Sequence, residues 1–192
     1  MRERPILFSS PMVRAILDGR KTQTRRVVTP PRWAEDGEVT VSSAVSWPWA
    51  WCDGEVRDVP CPYGAAGDRL WVKETWAPAS GETGGCFYAA DEADGPWSET
   101  DKVAFLDGGR WRASRFLPRW ASRLTLDVVA VRVERLRDIT EGDARAEGVD
   151  PNYRAGETAR ALYAHLWDQI NGKRAPWASN PYVWVVTFRR AP

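Results

Sequence analysis

Residues 124–136 constrain the fold more than any other stretch of this 192-residue chain. Leu124, Leu126 and Val128 lie in one period-two phase, and Val129, Val131 and Val133 in the other. Side chains alternate faces along a strand, so a change of phase within one strand requires a bulge or a sharp coil near Val128-Val129. A strand of this kind serves two faces of a closed or strongly curved sheet.

Further strand patterns supply its partners. After the turn signal Gly67-Asp68, residues 69–76 alternate: Leu70, Val72, Glu74 and Trp76 share one face, and Arg69, Trp71, Lys73 and Thr75 the other. Glu74 follows two apolar residues on the inward face, an unusual place for a carboxylate. Residues 182–189 are apolar on both faces and are predicted to be central. Residues 4–8 predict an opening strand with Pro5 at a sheet edge.

Three helices fit between. Ser10-Pro11 reads as an N-cap with proline at the first helical position; Val13, Ile16 and Leu17 form the buried stripe, and Gly19 stands where a terminating glycine belongs. Thr140 to Asp143 reads as a cap with an acid three residues on, closed by Gly148. Residues 156–170 predict a third helix with Tyr163, Leu166, Trp167 and Ile170 buried and Asn171-Gly172 as its stop. The sum is a single α+β domain over residues 1–192 with a small curved sheet or barrel. Two long excursions, at about 29–66 and 77–115, interrupt it, the second with a short strand at 87–90. Loops of this length are uncommon and often functional.

The basic stretch at residues 19–26, Gly-Arg-Lys-Thr-Gln-Thr-Arg-Arg, reads as a loop with four cations delivered by the first helix. The whole chain carries a net charge of only +1, so any electrostatic case rests on such local clusters. Arg115, Arg119 and Arg123, interleaved with Phe116 and Trp120, are a second cluster, read either as a nucleic-acid surface or as a strand lead-in with a solvated rim. The 12 Trp residues, beside 5 Phe and 5 Tyr, either cover a core poor in Phe or stack on bases.

No apolar run reaches the ~18 residues that span a bilayer, and no signal-peptide core follows the N-terminus, so a cytoplasmic protein without membrane contact is expected. Cys52, Cys61 and Cys86 lack close pairing and suit a reducing compartment; with His165 off the apolar stripe of its helix, neither a metal site nor a cofactor is expected.

Gly19-x-Lys21 with Arg26, then the block Gly67 to Glu74, the long strand and Asn180-Pro181-Tyr182-Val183-Trp184 together resemble the ASCH family of PUA-like β-barrels, and its Trp-rich phage and prophage members in particular. The resemblance covers most of the chain outside the two excursions. It implies a PUA-like barrel, a modified nucleoside or RNA as partner, and, by likeness to 4-acetylcytidine amidohydrolases, hydrolysis of the amide of a 4-acylated cytidine. Lys21, Thr24 and Glu74 match the catalytic positions of that branch. Arg25, Arg26, Gly19, Trp71 and Arg69 are the companion candidates for binding substrate.

The chemistry is coherent. A helical turn brings Lys21 and Thr24 to one side, neighbouring cations depress the lysine, and a proton shared between Lys21 and Glu74 reaches the leaving amine while Arg26 holds an anion. Three other readings stay open: a salt-bridged loop anchor, a phosphate or RNA-binding module without turnover, and a metal-independent ribonuclease. Thr22 can replace Thr24 in any hydroxyl role. A monomer is favoured.

Overall fold

Five strands form the main sheet of the computed structural model, which describes residues 1–34, 39–41, 47–79, 85–91, 110–149 and 156–192. They are β1 (Glu3–Leu7), β2 (Gln23–Val27), β6 (Arg69–Lys73), β9 (Thr125–Arg135) and β10 (Tyr182–Arg190), in the order β1-β6-β9-β10-β2. Only β1 and β6 run parallel. The fold is α+β, with three helices among the described residues: α1 (Ser10–Leu17), α2 (Glu141–Ala146) and α3 (Ala159–Asn171).

The phase switch in β9 takes the expected form. Thr187 pairs with Ala130 and Phe188 with Val128, which leaves Val129 as the extra residue of a bulge, half exposed. Before it, Leu124, Leu126 and Val128 join Ile6, Leu70, Val72, Val186 and Phe188 in one core. Beyond it, Val131 and Val133 pack toward Trp184. The central strand β10 buries Val183, Trp184, Val185 and Val186 completely, serving cores on both faces. β1 is an edge strand, where Pro5 needs no ladder partner on its free side.

Three local expectations are corrected. The N-cap of α1 is Ser9, with Pro11 inside the first turn, and its buried residues are Val13, Ala15 and Ile16. Residues 19–26 are not a loop throughout: β2 begins at Gln23, because β10 offers it a ladder from Thr187 to Val183. The stripe of α3 is Ala159, Leu162, Tyr163 and Trp167, while Ile170 stands 57% exposed.

The first excursion carries a small sheet of its own, β3 (Thr40–Val41), β4 (Pro48–Cys52) and β5 (Glu55–Asp58). It packs Ala50, Val59 and Cys61 onto Trp184, with the Trp47 ring edge-on at 5.0 Å. In the second excursion, β7 (Trp76–Pro78) and β8 (Cys86–Tyr88) form a hairpin; residues 80–84 and 92–109 lie outside the described residues. Among the described residues, no helix is long and apolar enough to cross a membrane.

Candidate functional site

Extended backbone from Lys21 onward sets which side chains meet. Lys21 forms an antiparallel bridge with Glu147, just after α2, and its amide donates to the carbonyl of Ala15. Residues two apart then share a side, so Lys21, Gln23 and Arg25 point one way and Thr24 and Arg26 the other. The helical turn expected to join Lys21 to Thr24 is replaced by this strand-like run.

On the first side the cations are buried together with their counter-charges. Lys21 Nζ donates to Glu147 Oε2, to the Glu147 carbonyl and to the Gln23 carbonyl, each at 2.8 Å. Three acceptors match the three N–H donors of an ammonium. The other Glu147 oxygen, Oε1, takes Arg25 Nη1 at 3.1 Å, so one carboxylate is divided between two cations. Arg25 also reaches Gln23 Oε1 at 2.7 Å, Glu134 through Nε and Nη2, and Asp143 at 3.4 Å. Arg132 joins Glu134 and Asp143 from outside.

Burial lowers the Lys21 ammonium below its ordinary range, opposed by Glu147 and assisted by Arg26 and Arg25. Burial pushes the Tyr163 phenol well up, and the Glu147 carboxylate adds to it. Burial works against the Asp143 carboxylate, but Thr140, Arg25 and Arg132 prevail and hold it below the usual range. Gly148 permits the approach of Lys21. At its φ of +86° a side chain is strained, and an added Cβ would stand 2.8 Å from Lys21 Cβ and 3.0 Å from Ala15 Cβ.

On the second side Arg26 Nη1 donates to Thr24 Oγ1 at 3.0 Å, and Nη2 to the Leu7 carbonyl at 2.9 Å. The guanidinium thus ties β2 to β1, the two edges of the sheet. It lies over the Phe8 ring at 5.3 Å, and Lys21 Nζ stands 5.6 Å from the same centroid. Thr24 has no exposed surface.

Glu74 is buried as its strand parity requires, but its partner is Arg123, which donates Nε to Oε1 and Nη2 to Oε2, both at 3.0 Å. Arg123 also grips Asp91 and stacks on Tyr88 at 4.1 Å. Burial raises the Glu74 carboxyl against the pull of Arg123. Among the described residues no hydrogen bond or ion pair links Glu74 to Lys21 or Thr24; the carboxylate that pairs with Lys21 is Glu147.

A small cleft, with about 20 Å³ open to water-sized spheres and about 270 Å³ when counted out into its mouth, lies over Arg25 and Glu147 of the first group. Arg25, Arg26, Glu147 and Tyr163 make its polar floor; Met12, Leu166, Trp167 and Ile170 make apolar walls, with Asn171 at one end. This is why Leu166 and Ile170 are not core. Of the expected binding residues, Arg25 and Arg26 line the cleft. Gly19 is the exposed glycine that ends α1, at φ +73°, and Arg69 pairs with Asp127 at 2.9 Å on β6, next to the half-buried Trp71.

Glu147 and Glu134 carry no sequence signal, and Asp143 and Tyr163 read in the sequence only as the acid of a helix start and as a buried helix residue. Only Gly148 hinted at them, and as a helix stop it does not announce what approaches it. His165 is exposed, 3.8 Å from Glu157, and Cys52, Cys61 and Cys86 form no disulfide. Among the described residues no group of three or more His, Cys, Asp or Glu is arranged to hold a metal.

No protein-family model matches the sequence, and no curated protein matches it. Among solved structures, the crystal structure of protein EF3133 from Enterococcus faecalis V583, described under family model DUF984, is similar with a TM-score of 0.42 and 11% identity. The match covers 100% of this chain and 81% of that one. A likeness this slight assigns neither fold family nor activity.

Proposed function

We propose that this chain is a PUA-like, nucleoside- or RNA-directed hydrolase that cleaves the amide of a 4-acylated cytidine in the cleft over Lys21, Arg25, Arg26 and Glu147. The observation that carries the reading is the Glu147–Arg25 pair at the floor of a half-apolar cleft, with Lys21 buried behind Glu147. Buried charges cost desolvation that apolar residues of like volume would avoid, and clustered, shifted groups beside a cleft mark candidate sites. The closed-sheet form of the fold is part of the proposal, supported by the Arg26 bond to Leu7 across the two sheet edges.

The mouth of the cleft suits the edge of a heterocycle: its apolar walls border a ring that enters there, and a carboxylate accepts from the exocyclic amine of cytosine. In the reaction, water attacks the acyl carbonyl carbon and gives a proton to Glu147. Arg26 stabilises the oxyanion, and Glu147 returns the proton to the exocyclic nitrogen as the C–N bond breaks, releasing a carboxylic acid and the free amine. Lys21 holds Glu147 in place. Thr24 positions Arg26. In this reading Glu74 takes the anchor role, fixing the end of β6 to Arg123.

The test is incubation with 4-acetylcytidine, free and within RNA, following cytidine release. Glu147→Gln should lower the rate by about 10²–10⁴-fold, the usual scale for a general acid–base group, with circular dichroism confirming the fold. No release by wild type at micromolar enzyme would overturn the hydrolase reading for that substrate. The second reading, a binding module without turnover, is favoured by the three acceptors that saturate Lys21 and by the closed Thr24 hydroxyl. It requires cytidine to bind wild type with heat measurable by calorimetry while no acyl transfer occurs.

A further inference from the structure

A second surface, away from the cleft, has the composition of a stacking platform. The segment 112–121 lies against the outer side of β6 and β7 and leaves two rings in solvent, Trp120 at 73% and Phe116 at 63% exposure. Large apolar side chains at that exposure find little reason in folding. Here they alternate with cations. Arg115 covers Phe116 at 4.9 Å, Arg119 and Lys73 flank Trp71 at 5.9 and 5.1 Å, and Arg112 lies over Trp76 at 5.2 Å. Trp120 stands perpendicular to Trp76, with ring centroids 6.1 Å apart, and leaves most of its own surface in solvent.

One further observation points outward: Arg112 and Arg115 pair with no carboxylate among the described residues, whereas Arg119 is steadied by Glu3 at 3.1 Å.

We infer that the face formed by Phe116, Trp120 and Trp71 with Arg112, Arg115 and Arg119 binds single-stranded nucleic acid, bases stacking on the rings and phosphates meeting the guanidinium groups. Charge selects the partner. An apolar protein patch would not need three cations over its rings, whereas exposed rings with interleaved Arg are what a strand with free bases requires. A duplex hides its base faces and would use only the charges. RNA and DNA share the chemistry up to the 2′-hydroxyl, and the experiment separates them. The inference stands on a different set of residues from the cleft and does not need turnover there.

The experiment is fluorescence anisotropy with labelled 12-nucleotide RNA, the same DNA sequence, and its duplex, at low and moderate salt. Single strands should bind more tightly than duplex, with a log–log salt slope near −2, as about three phosphate contacts at roughly −0.7 each require. Trp120→Ala and Phe116→Ala should each weaken single-strand binding by roughly 5- to 100-fold, with thermal unfolding within a few degrees of wild type. Tighter binding of RNA than DNA would add a 2′-hydroxyl contact; equal binding would assign stacking and charge alone. Equal affinity for duplex and single strand, or unchanged binding by the Trp120→Ala/Phe116→Ala double variant, would overturn the inference.

Discussion

Glu147→Gln removes the one carboxylate shared by two fully buried cations, and its effect on stability can be worked from the contacts. The side chains of Lys21 and Arg25 are 0% exposed and that of Glu147 is 2% exposed. Arg25 keeps Glu134, Asp143 and Gln23 in the variant, so its loss is partial. Lys21 keeps two carbonyls but loses its counter-charge. Breaking a buried pair by removing one partner costs about 3–5 kcal/mol, most of it the uncompensated charge. For a chain of this size that is a fall of roughly 6–20 °C in Tm. Replacing Lys21 by Met in the Glu147→Gln background removes the stranded charge and should recover about half of the loss. The variant also acquires a pH signature. With Glu147 gone, burial depresses Lys21 further; between that folded value and the ordinary lysine value the unfolded chain binds the extra proton, so stability climbs with pH. Urea unfolding of the four proteins of this cycle, at neutral pH and at pH 9, supplies the measurement. A loss below about 1 kcal/mol in Glu147→Gln, the size of a surface pair, or strict additivity of the double variant, would refute the assignment of Lys21 and Glu147 as one coupled unit.

Gly148→Ala should destabilise by roughly 2–4 kcal/mol, because it adds a side chain at positive φ and drives a methyl into Lys21 and Ala15; an unchanged urea midpoint would contradict this. Asp143 is held below the usual carboxylate range, so it contributes stability above the ordinary aspartate value and loses it as pH falls through its depressed folded value. Asp143→Asn should therefore flatten that part of the acid unfolding curve, and an unaltered acid limb would count against the Arg25 and Arg132 contacts. Burial pushes the Cys61 thiol up to about 11, so at pH 8 iodoacetamide should leave it intact in the folded protein and modify it in urea, as read by mass spectrometry. Native-state alkylation at the rate of a free thiol would show that the packing of Cys61 against the Trp184 cluster opens readily.

The sheet was legible where alternation is physically forced. The phase switch at Val128-Val129, the inward face of Leu70, Val72 and Glu74, and the two-faced β10 follow from period two alone, and the ladders agree. The basic stretch was misjudged because charge was taken as a sign of exposure. Lys21 and Arg25 are buried because Glu147, Glu134 and Asp143 arrive from beyond 120 residues, 109 residues and a similar distance along the chain, and no local pattern encodes such a pairing. For the same reason Glu74 was matched to a lysine when Arg123, at the start of β9, was its partner. Ile170 was placed in the core because helical spacing cannot tell a core stripe from a cleft wall.

The two buried carboxylates, Glu74 and Glu147, stand in different surroundings. Glu74 and Arg123 fasten the end of β6 to the start of β9, two strands already paired in the ladder, and the pair adds Asp91 and Tyr88 from the second excursion. That is the work of an anchor: it fixes a loop to a sheet. Glu147 does something else. It joins β2, an edge strand, to the end of α2, and it does so with a carboxylate whose two oxygens serve different cations at the floor of a cleft. An anchor at this place could be made from apolar packing at lower desolvation cost. On the proposed function the charges serve what enters the cleft. Arg26 borders the same cleft while its guanidinium reaches from β2 to Leu7 of β1, so a ligand that draws on Arg26 also bears on the contact between the two edge strands.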